Sequence, residues 1–69
     1  MKKYIFAYSH CSNYCIELRS VETDYDMLLT AANELSAIGH CVDGYESMED
    51  LHNMIWDQDA IFNIMEQPE

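Results

Sequence analysis

The sequence predicts a small α+β domain: an N-terminal antiparallel β-hairpin packed on two helices, with a short strand or loop between them. Three observations lead there. Residues Lys2–His10 and 14–21 alternate apolar and polar positions around Ser12-Asn13, a pair with turn chemistry. Residues 23–39 carry the start, face and stop of one helix. A second capping hydroxyl, Ser47, opens another helical stretch toward the C-terminal end. Sixty-nine residues make one domain, 1–69, and a chain of this size buries only about 60% of the surface its unfolded form exposes.

In the hairpin, Tyr4, Phe6 and Tyr8 point one way and Ile5, Ala7 and Ser9 the other. With Ser12-Asn13 as the loop, Ile5, Ala7 and Ser9 share a face with Ile16 and Leu18. That face is the expected floor for the first helix. The opposite face then sets Tyr4, Phe6 and Tyr8 beside Glu17 and Arg19, and a slip of one residue would exchange the two faces.

The first helix reads most fully. Thr23 is the expected N-cap with Asp26 at the third helical position, and Gly39 supplies the left-handed stop. Between them Tyr25, Leu28, Ala31, Ala32, Leu35 and Ile38 form one apolar stripe. Residues 40–46, HCVDGYE, follow as a short strand or extended connection in which Asp43-Gly44 signals a turn or bulge. Ser47 then places Asp50 three residues on, in the pattern of a capping box. Leu51, Met54, Ile55, Ile61, Phe62 and Met65 continue at helical spacing with a break near residues 57–59. Residues 60–65 are therefore expected as a separate short helix, with an edge strand as the alternative. Met48, Met54, Met65 and Trp56 are read as core.

Charge separates the chain into two parts. Thirteen acids face three bases, for a net charge of −10, and Lys2, Lys3 and Arg19 all fall within the first nineteen residues. Such an excess works against a compact fold through self-repulsion, so it asks for a reason beyond solubility. Direct nucleic-acid binding needs a basic patch that this sequence lacks. A basic protein surface is the expected partner instead. A domain of this size is about 28 Å across, a length over which duplex DNA carries roughly 16 charges. Asp43, Glu46, Glu49 and Asp50 cluster around the start of the second helix, with Asp57 and Asp59 about two turns further on. These six are the candidate partner-binding residues, and a solvated surface is the competing explanation. Tyr4, Phe6 and Tyr8 form a second candidate surface if the hairpin is covered on one face only.

Catalytic residues are not expected. A Cys next to a His in sequence is not a dyad, because such partners meet in space and need a third, orienting group. His10-Cys11, Cys15 and His40-Cys41 hold the side chains that zinc selects, so a small zinc-binding module is an alternative. The Cys11-x3-Cys15 spacing across a tight hairpin speaks against it, and no metal or cofactor is expected. Three cysteines do not pair off, which fits reduced thiols in a cytoplasm. The apolar run after Lys2-Lys3 is broken by Ser9 and His10, and nothing approaches the roughly 20 apolar residues of a membrane span. A cytoplasmic location is expected, that of the host if the protein is phage-encoded.

In size, acidity and lack of catalytic motifs, the chain resembles in general character the inhibitors that phages and mobile elements direct at host defence. These include anti-restriction and anti-CRISPR proteins that occupy nucleic-acid sites as DNA mimics. The resemblance implies a non-enzymatic inhibitor docked on a basic site. An alternative from another class is a homo-oligomeric structural or regulatory adaptor, a dimer that buries the Tyr4, Phe6 and Tyr8 face across a two-fold axis.

Overall fold

The computed structural model describes residues 1–10 and 16–68 of the chain. The Ser12-Asn13 loop, Cys11 and Cys15 lie outside the described residues. The fold is α+β: β1 (Lys2–His10), β2 (Ile16–Thr23), α1 (Met27–Ala37), α2 (Met48–Trp56) and β3 (Ala60–Glu66). The strands make one antiparallel sheet in the order β2-β1-β3, so the first strand is central and both of its edges are paired. At 17 Å, the shortest extent of the molecule is that of one sheet and one helix layer.

The hairpin register is the one that a loop centred on Ser12-Asn13 requires, with Ser9 opposite Ile16 and Lys2 opposite Thr23. The two faces carry the expected residues, but the helices cover the other one. Tyr4 and Phe6, 1% and 0% exposed, are core, whereas Ile16 and Leu18, 73% and 70% exposed, are not. Bulk explains the choice, because aromatic side chains remove far more area from water than Ala7 and Ser9 can. Phe6 stacks on Phe62 of β3 with ring centroids 5.8 Å apart, and Leu35, Leu51 and Ile55 close the core from the helices.

Helix α1 starts three residues later than its sequence signals suggest. Asp26 is the N-cap, its carboxylate accepting from Leu29 N–H at 2.8 Å. Thr23 ends β2, and its hydroxyl accepts from Tyr25 N–H at 3.2 Å in a local turn. Residues 24–26 turn between the strand and the helix, so Thr23 closes the strand and Asp26 opens the helix. Tyr25 is accordingly half exposed, while its carbonyl accepts from the Tyr4 hydroxyl at 3.1 Å. The C-terminal end matches expectation. Gly39 has φ 101°, its N–H donates to Ser36 O, and His40 N–H donates to Leu35 O, which together form a Schellman motif.

Residues 40–46 form a connection without strand structure, and Gly44 turns it at φ 73°. Ser47 caps α2, accepting from Asp50 N–H at 3.3 Å, while Asp50 reaches back to accept from Glu46 N–H at 2.8 Å. The two polar groups satisfy each other's end of the chain in the manner of a capping box, displaced by one residue.

After α2 the helical expectation fails. Asp59 adopts φ 62° and turns the chain into β3, where Ala60, Phe62 and Ile64 are buried and Ile61, Asn63 and Met65 are exposed. The apolar positions fit both periods over so short a run. Strand wins because β1, central and aromatic, would otherwise leave an unpaired edge of N–H and C=O groups beside the core.

Candidate interaction surfaces

The α2 segment presents most of the predicted acidic surface. Asp43, Glu46, Glu49, Asp57 and Asp59 are exposed, while Asp50 is partly buried through its bond to Glu46 N–H. Leu51 and Ile55 anchor the helix to the core, so Glu49, Asn53 and Trp56 fall on its outer side. The ion pairs among the described residues join the Met1 amine to Asp24 at 3.9 Å, Lys3 to Glu22 at 3.7 Å and Arg19 to Glu34 at 3.8 Å. All three lie on the sheet and α1 side. Among the described residues, no ion pair neutralises the carboxylates around α2.

Trp56 is 64% exposed and stands at the end of this acidic surface, next to Asp57. It was expected in the core. The helix ends at Trp56 itself, with Asp57 as its C-cap, so no later turn covers its ring. An exposed indole among carboxylates combines an aromatic anchor with a cation-attracting field, the two features that recognise arginine and lysine side chains.

The Tyr4, Phe6, Tyr8 stripe, expected to be exposed as a second candidate surface, lies on the covered face of the sheet. Tyr4 and Phe6 are buried, and Tyr8 is partly buried beneath the connection after α1. Its hydroxyl lies 2.6 Å from Nε2 of His40, whose Nδ1 is 2.8 Å from Oε1 of Gln58. The amide of Gln58 donates to the carbonyls of Cys41 and Met54, at 3.1 and 3.3 Å. That fixes the network. The Gln58 oxygen can only accept, so His40 donates from Nδ1, and in the neutral ring Nε2 accepts a hydrogen bond from the Tyr8 hydroxyl. The arrangement ties the 40–46 connection to both the sheet and the turn after α2.

Two of the predicted zinc-site residues do come together, since the rings of His10 and His40 stack with centroids 6.4 Å apart. Both nitrogens of His40 are engaged in the network, and no group of three metal-ligating side chains converges among the described residues. Cys41 is exposed. Tyr8 itself is held above the ordinary tyrosine range, first by burial of the phenol and second by the nearby Glu17 carboxylate.

The face of the sheet away from the helices, expected as the helix floor, is left uncovered by them. Ile5, Ala7, Ile16, Leu18, Ile61 and Met65 share it, and the two edge strands contribute the most exposed of them. The alternation in the sequence shows that two apolar faces exist. It does not say that two short helices can cover only one. No helix of the described chain is long and apolar enough to cross a membrane.

No protein-family model, curated protein or solved structure matches this chain.

Proposed function

We propose that this chain is a non-enzymatic binding protein of the inhibitor type, which docks the acidic surface around α2 on a basic, nucleic-acid-binding site of a partner protein. The observation that carries the reading is the position of Asp43, Glu46, Glu49, Asp57 and Asp59, exposed and outside the ion pairs of the described residues, on a segment that ends at the exposed Trp56. On a body 34 by 27 by 17 Å, a net charge of −10 is about half of the roughly 20 charges that duplex DNA carries over the same length. The general resemblance to phage anti-defence proteins, anti-CRISPR and anti-restriction inhibitors among them, supports the same class, with the host cytoplasm as the place of action.

Electrostatic docking of this kind associates fast and weakens steeply with salt. The test is capture on the immobilised full chain from a bacterial lysate, with elution by heparin and by a salt gradient. Nucleic-acid-binding proteins should be retained at low salt and released by heparin. Their retention should be lost when Glu46, Glu49 and Asp57 are changed together to Gln, Gln and Asn. Asp50 is left in place because it also holds the start of α2. Neutralising Asp24 and Glu34, which already pair with the Met1 amine and Arg19, should change retention far less. A partner that stays bound in high salt, or that binds the triple variant equally well, would refute the proposal.

A further inference from the structure

We infer that the open face of the sheet is a self-association surface, on which two copies of the chain pack sheet to sheet and place their helix layers outward. The inference is independent of the function proposed for the acidic surface. It starts from the alternation of the strands. Odd positions of β1 and β3 and even positions of β2 lie on the open face, which in rows across the sheet gives Ser20, Ile5 and Met65, then Leu18, Ala7 and Asn63, then Ile16, Ser9 and Ile61. Exposures of 73% for Ile16, 70% for Leu18, 50% for Ile61 and 56% for Met65 make this a contiguous apolar patch.

Charge selects a second copy as the occupant. On the strands, Lys3 and Glu22 are the charged residues of this face, and they pair with each other at 3.7 Å near its end. Glu17, Arg19 and Glu66 fall on the helix side by the same parity, and the carboxylates of α2 stand on the far side of the molecule. A chain of net charge −10 thus has one broad neutral face. It is where two such chains can meet without opposing their acidic surfaces, while a basic partner would find nothing there to recognise.

Shape agrees with charge. Small residues on the central strand leave a hollow of about 150 Å³ lined by Ala7, Ser9, Ile16, Ile61 and Asn63 of this face together with Tyr8 and Phe62, whose side chains alternate to the helix side. Leu18 and Met65 stand up from the same face. A two-fold contact requires knob and hollow on one surface, because each copy supplies both. Stacked sheets lie about 10 Å apart with strands inclined by about 30°. Three strands at about 4.8 Å spacing and about 3.3 Å rise, over the nine residues of β1, bury on the order of 1,000 Å² across both copies, which reaches the lower range of specific interfaces.

The experiment is sedimentation equilibrium of the full chain from about 1 to 100 μM, the range in which an interface of modest area dissociates. The expected result is a mass of twice 8.1 kDa at the upper end of that range. Leu18→Lys and Ile61→Lys are the deciding variants. Both side chains are exposed in the single chain, so the far-UV spectrum and fold should survive the change. Each lysine also reduces the net negative charge. If association merely followed overall charge, these variants would associate more tightly; a packed apolar face predicts monomers, with the apparent dissociation constant raised at least tenfold. A parent chain that is monomeric at 100 μM overturns the inference, as does a dimer that survives both folded variants.

Discussion

Single side chains tie together segments that share little sequence proximity. Tyr8, His40 and Gln58 come from β1, the connection after α1 and the turn after α2, and their bonds hold these three segments against one another. Its phenol, kept neutral first by burial and then by Glu17, titrates above the ordinary tyrosine value near 10. The unfolded chain would release that proton near pH 10, while the folded chain retains it. Folded protein therefore binds more protons in this window, and stability must fall as pH climbs from about 10 through the raised value. Below pH 10 this group adds no slope. The expected outcome is a melting temperature that drops as pH climbs above about 10, with part of the drop abolished in Tyr8→Phe. The variant also leaves neutral His40 without a donor to Nε2, so the slope, and not the absolute melting temperature, is the informative quantity. Absorbance at 295 nm gives a second check, since Tyr8 should ionise later in the folded protein than in denaturant, a difference lost in Tyr8→Phe.

Elements are set by caps and edges as much as by their own periodicity. The structure moves the N-cap of α1 from Thr23 to Asp26, and the two assignments differ in a measurable way. Asp26→Ala should destabilise the fold by about 1 kcal/mol, since it removes the carboxylate that satisfies Leu29 N–H. Thr23→Ala should cost clearly less, because its hydroxyl serves an exposed turn. Urea denaturation of the two variants checks the order, and equal losses would return the cap to Thr23. The cap, the Schellman stop at Gly39 and the box at Ser47 are local events, which is why Gly39 and Ser47 were legible in the sequence. What could not be read was decided at a distance. Residues 60–65 become a strand because β1 needs a second neighbour, and Thr23 closes β2 opposite Lys2. The hairpin faces were sorted correctly by alternation, but covering one of them was a competition between aromatic and aliphatic sides that only helix number and placement resolve. Of the candidate site, the acids around α2 could be placed by sequence, since exposed carboxylates follow the polar side of a helix. Trp56 and the open apolar face could not, because composition treats a large apolar residue as core.

At the scale of the whole molecule, the distribution of charge sets how stability responds to salt, and two effects oppose each other. The three described ion pairs are mostly exposed and weaken when screened, but exposed pairs contribute little. Against them stands the mutual repulsion of the carboxylates, with a net charge of −10 on a body no longer than 34 Å. Repulsion should dominate, because it sums over many pairs of like charges while attraction is confined to a few. The range of the effect follows from the dimensions. The Debye length is about 30 Å at 0.01 M and about 10 Å at 0.1 M. At the lower salt almost every carboxylate acts on every other across this molecule; at the higher, only neighbours do. The melting temperature should therefore rise with added NaCl, with most of the rise below 0.1 M and a plateau beyond. Association through the open face would add a salt-dependent gain of its own, since two acidic bodies are brought together. Leu18→Lys separates the contributions: the part of the rise that persists in this variant, measured at a few micromolar, belongs to folding of the single chain. A melting temperature that falls with salt would mean that the few ion pairs outweigh the acidic excess, and that the carboxylates around α2 lie in a less repulsive field than their positions indicate.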